Sequence, residues 1–277
     1  MSAAARTRVT IVMSVFNSLD LTRACLDSLG RTTEPFELIV VDNGSTDGTP
    51  AFLEEFAPPY PFLRERNAEN RSVIATLNRA WRRATTEFVC MLHNDTEMLD
   101  LAWLSRLLRV LAEPRAGLAG LYGAKRFRKN GRAVGRTIVH SLAEGPIVRA
   151  PWEEVFFVDS VCMCLRRALL EQVGGFDEGY GFYHGLDRDL SFAVREAGYR
   201  CFVVRAPFLH RGGATRTRAF DESREREDVR VRAAVIDRFV GKYGHRLPAD
   251  ARSPRERLAD WLRAKLVPAG ARDGGVP

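Results

Sequence analysis

The chain has 277 residues, 45% of them hydrophobic and 28% charged, with a formal net charge of +7. This length buries a substantial core and fits one large domain, or a domain with an appended tail, better than two equal domains. The composition is that of a globular protein, and the positive balance favours acidic partners such as nucleotide sugars, anionic lipid or nucleic acid.

VTIVMSVFN (9–17) reads as a buried strand, and Ser18 or Asp20 then caps a helix running to about Leu29. FELIVVDN (36–43) is the next strand, with a further helix opening at Ser45 to Asp47 and broken by the prolines of 58–61. FLRERN makes a short strand, and Ile74, Leu77 and Trp81 carry helical spacing through 72–84. A strand over 87–92 and an amphipathic helix over 101–111 follow. This strand–helix alternation implies a mostly parallel sheet covered on both faces, with ligands at the carboxyl ends of its strands.

The second half is less regular. Lys129-Asn130-Gly131-Arg132 is a hairpin turn, because Asn-Gly accepts positive φ at little cost. A strand over 158–167 leads to a short helix closed by Gly174-Gly175. A helix over 187–197 and a strand over 199–205 then feed Phe208, Leu209 and His210. From 216 onward charges dominate, with a helix near 221–240. The stretch 254–266 sets Leu258, Trp261, Leu262 and Leu266 on one face, to dock on the domain or lie on a membrane. The chain is therefore divided into a domain over 1–215 and a charged helical extension over 216–277, ending in a frayed GARDGGVP.

Cys25, Cys90, Cys162, Cys164 and Cys201 mostly sit in apolar runs, so buried reduced thiols are expected rather than a disulfide frame. Cys162 and Cys164 share a strand face, which leaves metal chelation as a second reading. The N-terminus enters a strand without a secretory apolar core, and no run approaches 20 apolar residues, so a cytoplasmic location is expected, with peripheral contact at the inner face of a membrane.

The chemistry is concentrated where apolar strands stop on polar residues. FVCMLHNDTEM (88–98) ends on His93, Asn94, Asp95 and Thr96, and FELIVVDNGSTDGT ends on Asp42, Asn43, Gly44 and Ser45. Carboxylates and amides at the ends of buried strands are placed to hold a divalent cation and a phosphate, and two such ends suggest one crevice. Neither GxGxxG nor GxxxxGK[ST] occurs, which removes the main support for a dinucleotide fold or a P-loop ATPase. No basic stripe with interleaved aromatics appears, so nucleic acid is not an expected partner.

The ordered segments VTIVMSVFN, VVDNGSTDGT, NRSVIATLNRA, LHNDTEM, VGGFDEGYGFYHGLDRDLSFAVREAGYR and FLHRGG resemble the family 2 glycosyltransferases of the GT-A fold over about residues 8–213. That resemblance implies an α/β fold of the nucleotide-diphospho-sugar transferase type, a mostly parallel sheet flanked by helices, here with a helical C-terminal tail. It implies inverting, metal-dependent hexosyl or deoxyhexosyl transfer in glycan biosynthesis, with a nucleoside diphosphate sugar as donor. Mn²⁺ or Mg²⁺ is the implied cofactor, and a glycan, lipid-linked or small-molecule hydroxyl the acceptor.

On the same footing, Val15, Asn17, Asp42, Asn70, Asn78 and Asn94 line the donor nucleotide. Asp42 accepts from the base imide in that reading, or else caps its own turn. Ser72 and Ala80 stand where the family has glycines. Asp95 matches the last acid of the family's DxD motif and is the expected metal ligand. His93 replaces the first acid, and an imidazole bound there shifts preference from Mg²⁺ towards Mn²⁺. His210 matches a C-terminal histidine that reaches metal or diphosphate, followed by a basic Arg211-Gly212-Gly213 loop.

Asp187 matches the general base that deprotonates the acceptor hydroxyl, and Asp189 is the alternative; both are also suited simply to a helix N-terminus. Leu186 replaces the family's Glu, with His184 as a substitute. Trp152, Tyr180, Phe182 and Tyr183 offer faces for sugar C–H surfaces or for core packing. Two rival readings are a nucleotidyltransferase, which releases pyrophosphate, and a sugar-nucleotide-binding or membrane-surface scaffold without catalysis.

Overall fold

A computed structural model describes residues 7–134, 138–141, 145–146, 150–211 and 222–266. In the first half β1 (Val9–Val15), α1 (Leu19–Leu29), β2 (Phe36–Asp42), α2 (Thr49–Glu55), β3 (Phe62–Arg66), α3 (Val73–Arg82), β4 (Phe88–Leu92), β5 (Thr96–Met98) and α4 (Trp103–Leu111) alternate. Next come β6 (Ala116–Gly120) and five short strands, β7 (Tyr122–Ala124), β8 (Arg126–Phe127), β9 (Ala133–Val134), β10 (Ile138–Ser141) and β11 (Gly145–Pro146). The chain continues through β12 (Trp152–Val155), β13 (Phe157–Val158), β14 (Cys162–Arg166), α5 (Arg167–Gln172), α6 (Leu186–Glu196), β15 (Arg200–Val204) and β16 (Phe208–His210). It closes with α7 (Glu222–Tyr243), β17 (Ala249–Asp250) and α8 (Pro254–Leu266).

The main sheet has eight strands in the order β12-β15-β6-β14-β4-β1-β2-β3. β1, β2, β3 and β4 are parallel neighbours, and β6 pairs parallel with β15, while β14 and β12 run against their neighbours. Both faces are covered, which is why its strands read as unbroken apolar runs. β1 shows this: Ile11 and Met13 face the core beneath α1 and α4, whereas Val12 faces the core beneath α3 and α6. Because β1 and β2 pair in register through Val15 and Asp42, the carboxyl ends of the two strands lie side by side.

A second sheet, β13-β7-β10-β16-β5, stands at that same edge. Its β16–β5 pairing sets His210 opposite Thr96, beside the end of β4. The Asn130-Gly131 turn forms as expected, with Gly131 at φ +73° and β8 paired antiparallel to β9. α7 is packed into the body of the domain: Val235, Phe239 and Tyr243 join the core, and the Phe239 ring meets Phe192 at 4.7 Å.

Two local expectations change. Ser18 takes φ +60° and gives α1 no side-chain cap; instead Asp47 accepts from the Leu19 N–H across the loop. The strand expected over 158–167 is interrupted between β13 and β14, where the Asp159 carboxylate accepts from the Val161 N–H and turns the chain. On α8, expected to dock or to lie on a membrane, Leu258, Trp261 and Leu262 are exposed, while Lys125–Glu256 and Arg252–Asp260 ion pairs tether the helix. The Leu266 side chain, Gly212, Gly213 and the C-terminal GARDGGVP lie outside the described residues. All five cysteines are buried and free, with the Cys90 and Cys162 sulfurs 3.8 Å apart.

Candidate active site

The end of β2 is organised by hydrogen bonds rather than by open space. Asp42 accepts from the Ser45 N–H at 2.9 Å and faces Arg66 at 3.4 Å, and its side chain is almost wholly buried. Gly44, at φ +81°, passes so close to Glu69 that a Cβ would fall 2.4 Å from its carbonyl carbon, so the turn requires glycine. Asn17 accepts from the Thr46 N–H at 2.8 Å, tying β1 to this turn. Asn43 donates to Asn70 at 2.9 Å and accepts from Asn67, which holds Asn70 at the rim of the main cavity.

That cavity, about 1740 Å³, is where most of the expected residues meet. Ser14, Asn70, His93, Asn94, Asp95, Asp187 and His210 all line it, although they come from elements far apart in the chain. Val15 is fully buried behind it, and neither Asn17 nor Asp42 reaches its wall. Asn78 is not brought to the site. Its amide donates to the Phe176 carbonyl and to Glu178, and its oxygen accepts from Trp81 Nε1 and the Phe176 N–H, so its hydrogen-bonding capacity is committed to the loop after α5. Ser72, in place of a glycine, caps α3 by accepting from the Ala75 N–H.

The end of β4 gathers three metal-type donors. His210 Nε2 lies 3.2 Å from Asp95 Oδ1, His93 Nδ1 lies 3.9 Å from the same oxygen, and all three ligand atoms fall within 4.8 Å of one another. Among the described residues this is the group of His, Cys, Asp and Glu whose donors converge; the Cys162–Cys164 pair is not part of it. Burial works to raise the Asp95 carboxyl, but the His210 hydrogen bond and the two imidazoles outweigh it and hold the group below its ordinary range. Burial pushes the His93 imidazole down, keeping it neutral at neutral pH. A carboxylate and a neutral imidazole are protonation states that bind a divalent cation, and with His210 beside Asp95 and His93 the donor atoms are of the type that holds one. Asn94 turns back to donate to Thr22 at 2.9 Å.

In the same cavity, Asp187 lies in the first turn of α6 and accepts from the Arg188 N–H at 2.8 Å. Burial raises its carboxyl, against the Arg188 charge and the N–H groups of Arg188 and Ser160. Asp159, from the β13–β14 break, lines the cavity too, and burial together with the Asp187 charge pushes it up to about 7. Asp189, the alternative base, is buried elsewhere and ion-paired to Lys242 of α7 at 2.7 Å.

Sequence reasoning passed over Asp159 and Asp228. Asp159 had a visible signal, an acid inside the apolar run FFVDSVCMC, the same signal that marks Asp42 and Asp95. Asp228 had none: only the packing of α7 brings it to accept from His184 at 2.8 Å and Tyr183 at 2.8 Å, while Arg232, one turn on in the same helix, donates to it at 2.7 Å. Burial tends to raise Asp228, but those three partners hold it down to about 2. Tyr183 and Phe182 are half-exposed on the cavity, whereas Tyr180 is buried beneath and Trp152 lies on the edge strand β12.

A mostly parallel sheet with helices on both faces, a polar turn at the end of β2 and a cation-type donor set at the end of β4 together define a GT-A type fold. Solved structures share it: a mannosyltransferase from Pyrobaculum calidifontis in complex with GDP-Man and Mn²⁺ superimposes with a TM-score of 0.55 at 19% identity, over 94% of this chain and 80% of that one. GalNAc-T7 with UDP, GalNAc and Mn²⁺ gives a TM-score of 0.59 at 11% identity, over 75% of this chain and 44% of that one.

The sequence model of glycosyl transferase family 2 matches residues 10–174, and the chain belongs to that family. It is 30% identical over 234 residues to the O-antigen biosynthesis protein RfbC of Myxococcus xanthus, covering 76% of this chain and 18% of that protein. It is also 27% identical over 198 residues to the pre-mycofactocin glycosyltransferase of Mycobacterium tuberculosis, covering 69% of this chain and 40% of that protein. The chain thus spans less than half the length of these relatives. Among the described residues, no helix is long and apolar enough to cross a membrane.

Proposed function

We propose that this glycosyltransferase is an inverting, metal-dependent enzyme that moves a hexosyl or deoxyhexosyl group from a nucleoside diphosphate sugar to an acceptor hydroxyl. The observation that carries the reading is the single cavity lined by Asp95, His210 and Asp187. Asp95 and His210 would hold Mn²⁺ or Mg²⁺, which supplies positive charge to the diphosphate leaving group. Asn70 and Asn94 border the donor, with the β2 turn of Asp42 and Asn17 behind them. Asp187 accepts the proton of the acceptor hydroxyl as its oxygen attacks the anomeric carbon on the face opposite the nucleotide, and a single displacement inverts that carbon. Its raised affinity for a proton makes it a stronger base than an ordinary carboxylate.

The half-exposed rings of Phe182 and Tyr183 suit a sugar face in the acceptor, which supports a glycan or lipid-linked acceptor. The nucleotide sugars held by structural neighbours, GDP-Man and UDP with GalNAc, support a hexosyl donor. The exposed Leu258, Trp261 and Leu262 of α8, with arginines beside them, support catalysis at the inner face of a membrane.

The reading is tested by a thermal-shift screen of UDP-, GDP- and dTDP-sugars with Mn²⁺, followed by product analysis for the stabilising donor. The expected product is the nucleoside diphosphate. Release of pyrophosphate indicates a nucleotidyltransferase, and tight binding with neither hydrolysis nor transfer indicates a scaffold.

A further inference from the structure

We infer that His93 is a third protein ligand for the cation, so that this chain holds a transition-metal ion before any nucleotide arrives and discriminates against Mg²⁺. The inference rests on the proposed reading of Asp95 and His210 as ligands, but not on sugar transfer itself. A site with one carboxylate and one imidazole leaves most of the coordination sphere to diphosphate oxygens and water. Here a second imidazole stands beside that pair: His93 Nδ1 lies 3.9 Å from the Asp95 oxygen that His210 approaches at 3.2 Å. Bonds of about 2.0–2.2 Å to one cation place ligand atoms about 3–4 Å apart, so a small rotation of the His93 ring completes the set.

The backbone is fixed around that rotation. The His93 N–H donates to the Val161 carbonyl at 3.0 Å, the Arg211 N–H donates to the Asp95 carbonyl at 3.0 Å, and the β5–β16 pairing fixes His210 opposite Thr96. Ligands anchored on strand ends in this way lose little freedom on binding. The ring centroids of His93 and His210 are 5.6 Å apart, and both residues line the cavity together with Asp95. Two imidazoles and one carboxylate with open positions suit Mn²⁺, Fe²⁺, Co²⁺ or Zn²⁺, with affinity rising from Mn²⁺ to Co²⁺, whereas Mg²⁺ wants oxygen ligands in an octahedron.

The test is calorimetric titration of the full, untagged and nucleotide-free chain with CoCl₂, MnCl₂ and MgCl₂, alongside the visible absorption of the Co²⁺ form. The wild type is expected to bind Co²⁺ at least about tenfold more tightly than Mg²⁺ and to show ligand-field bands. His93→Ala is expected to lose Co²⁺ affinity by about tenfold or more with an unchanged melting midpoint. His93→Asp should recover cation binding while narrowing the Co²⁺-to-Mg²⁺ ratio. Absence of Co²⁺ binding without nucleotide, equal Co²⁺ affinity in His93→Ala, or Mg²⁺ bound as tightly as Co²⁺ by the wild type overturns the inference. A wild type that passes these titrations yet releases no nucleoside diphosphate from any sugar nucleotide refutes the proposed function and leaves the metal site standing; catalysis with a His93-independent cation does the reverse.

Discussion

The part of the molecule before residue 98 and the part after it build their walls of the cavity by different means. In the first part Asp95 follows β4 directly on the cavity, and Asp42 ends β2 behind it. In the second part Asp159 sits in a break between β13 and β14 and His184 in a loop before α6, where it is bonded to Asp228, 44 residues further on in α7. Strand ends are local and tolerate change in the remainder of the chain, whereas the second wall depends on α7 being packed against the domain.

That contrast predicts where a single change does most damage. Phe239→Ala removes a fully buried ring that contacts Phe127, Phe192 and Tyr243, and is expected to cost about 3–5 kcal/mol of unfolding free energy by denaturant titration. Trp261→Ala on the exposed face of α8 should stay within about 0.5 kcal/mol. Equal effects at the two sites mean that α7 does not belong to the folding unit. On the first wall, Asp95→Ala is expected to leave the melting midpoint in place and weaken Mn²⁺-dependent donor binding by about tenfold to a hundredfold. Donor affinity that is the same with and without chelator in the wild type rejects the metal assignment.

The smallest effect sharpens the second wall. A base works only when ionised, so activity depending on Asp187 is present above its pKa and lost as pH falls through it. Burial raises that pKa, with Asp159 as a charged neighbour, so the acid limb of the rate profile is expected above the ordinary carboxylate range. Asp159→Asn removes a negative neighbour and should move the limb about one unit lower. A limb that stays fixed in Asp159→Asn separates the two carboxyls functionally.

The same contrast explains what could be read from the chain. Continuous apolar runs fix β1, β2 and β4 because both faces of the sheet are covered, and each run ends where its polar residues begin. Asp42, Asp95 and the spacing of Ile74, Leu77 and Trp81 were therefore legible. Asn78 was misleading, since its amide looks available in sequence and is committed to Phe176, Glu178 and Trp81 in the fold. The His184–Asp228 bond was invisible, because no local pattern states which turn of a charged helix faces inward. The exposed face of α8 was ambiguous for a related reason: amphipathic spacing shows that an apolar stripe exists, not what covers it.

The account stands most directly on Asp187→Asn. Donor affinity by calorimetry and nucleoside diphosphate release should be measured on one preparation with Mn²⁺. The predicted result is donor binding within about twofold of wild type with transfer reduced by roughly 10²–10⁴-fold. Transfer at the wild-type rate would contradict the assignment of the base, and with it the claim that the two walls form one active site.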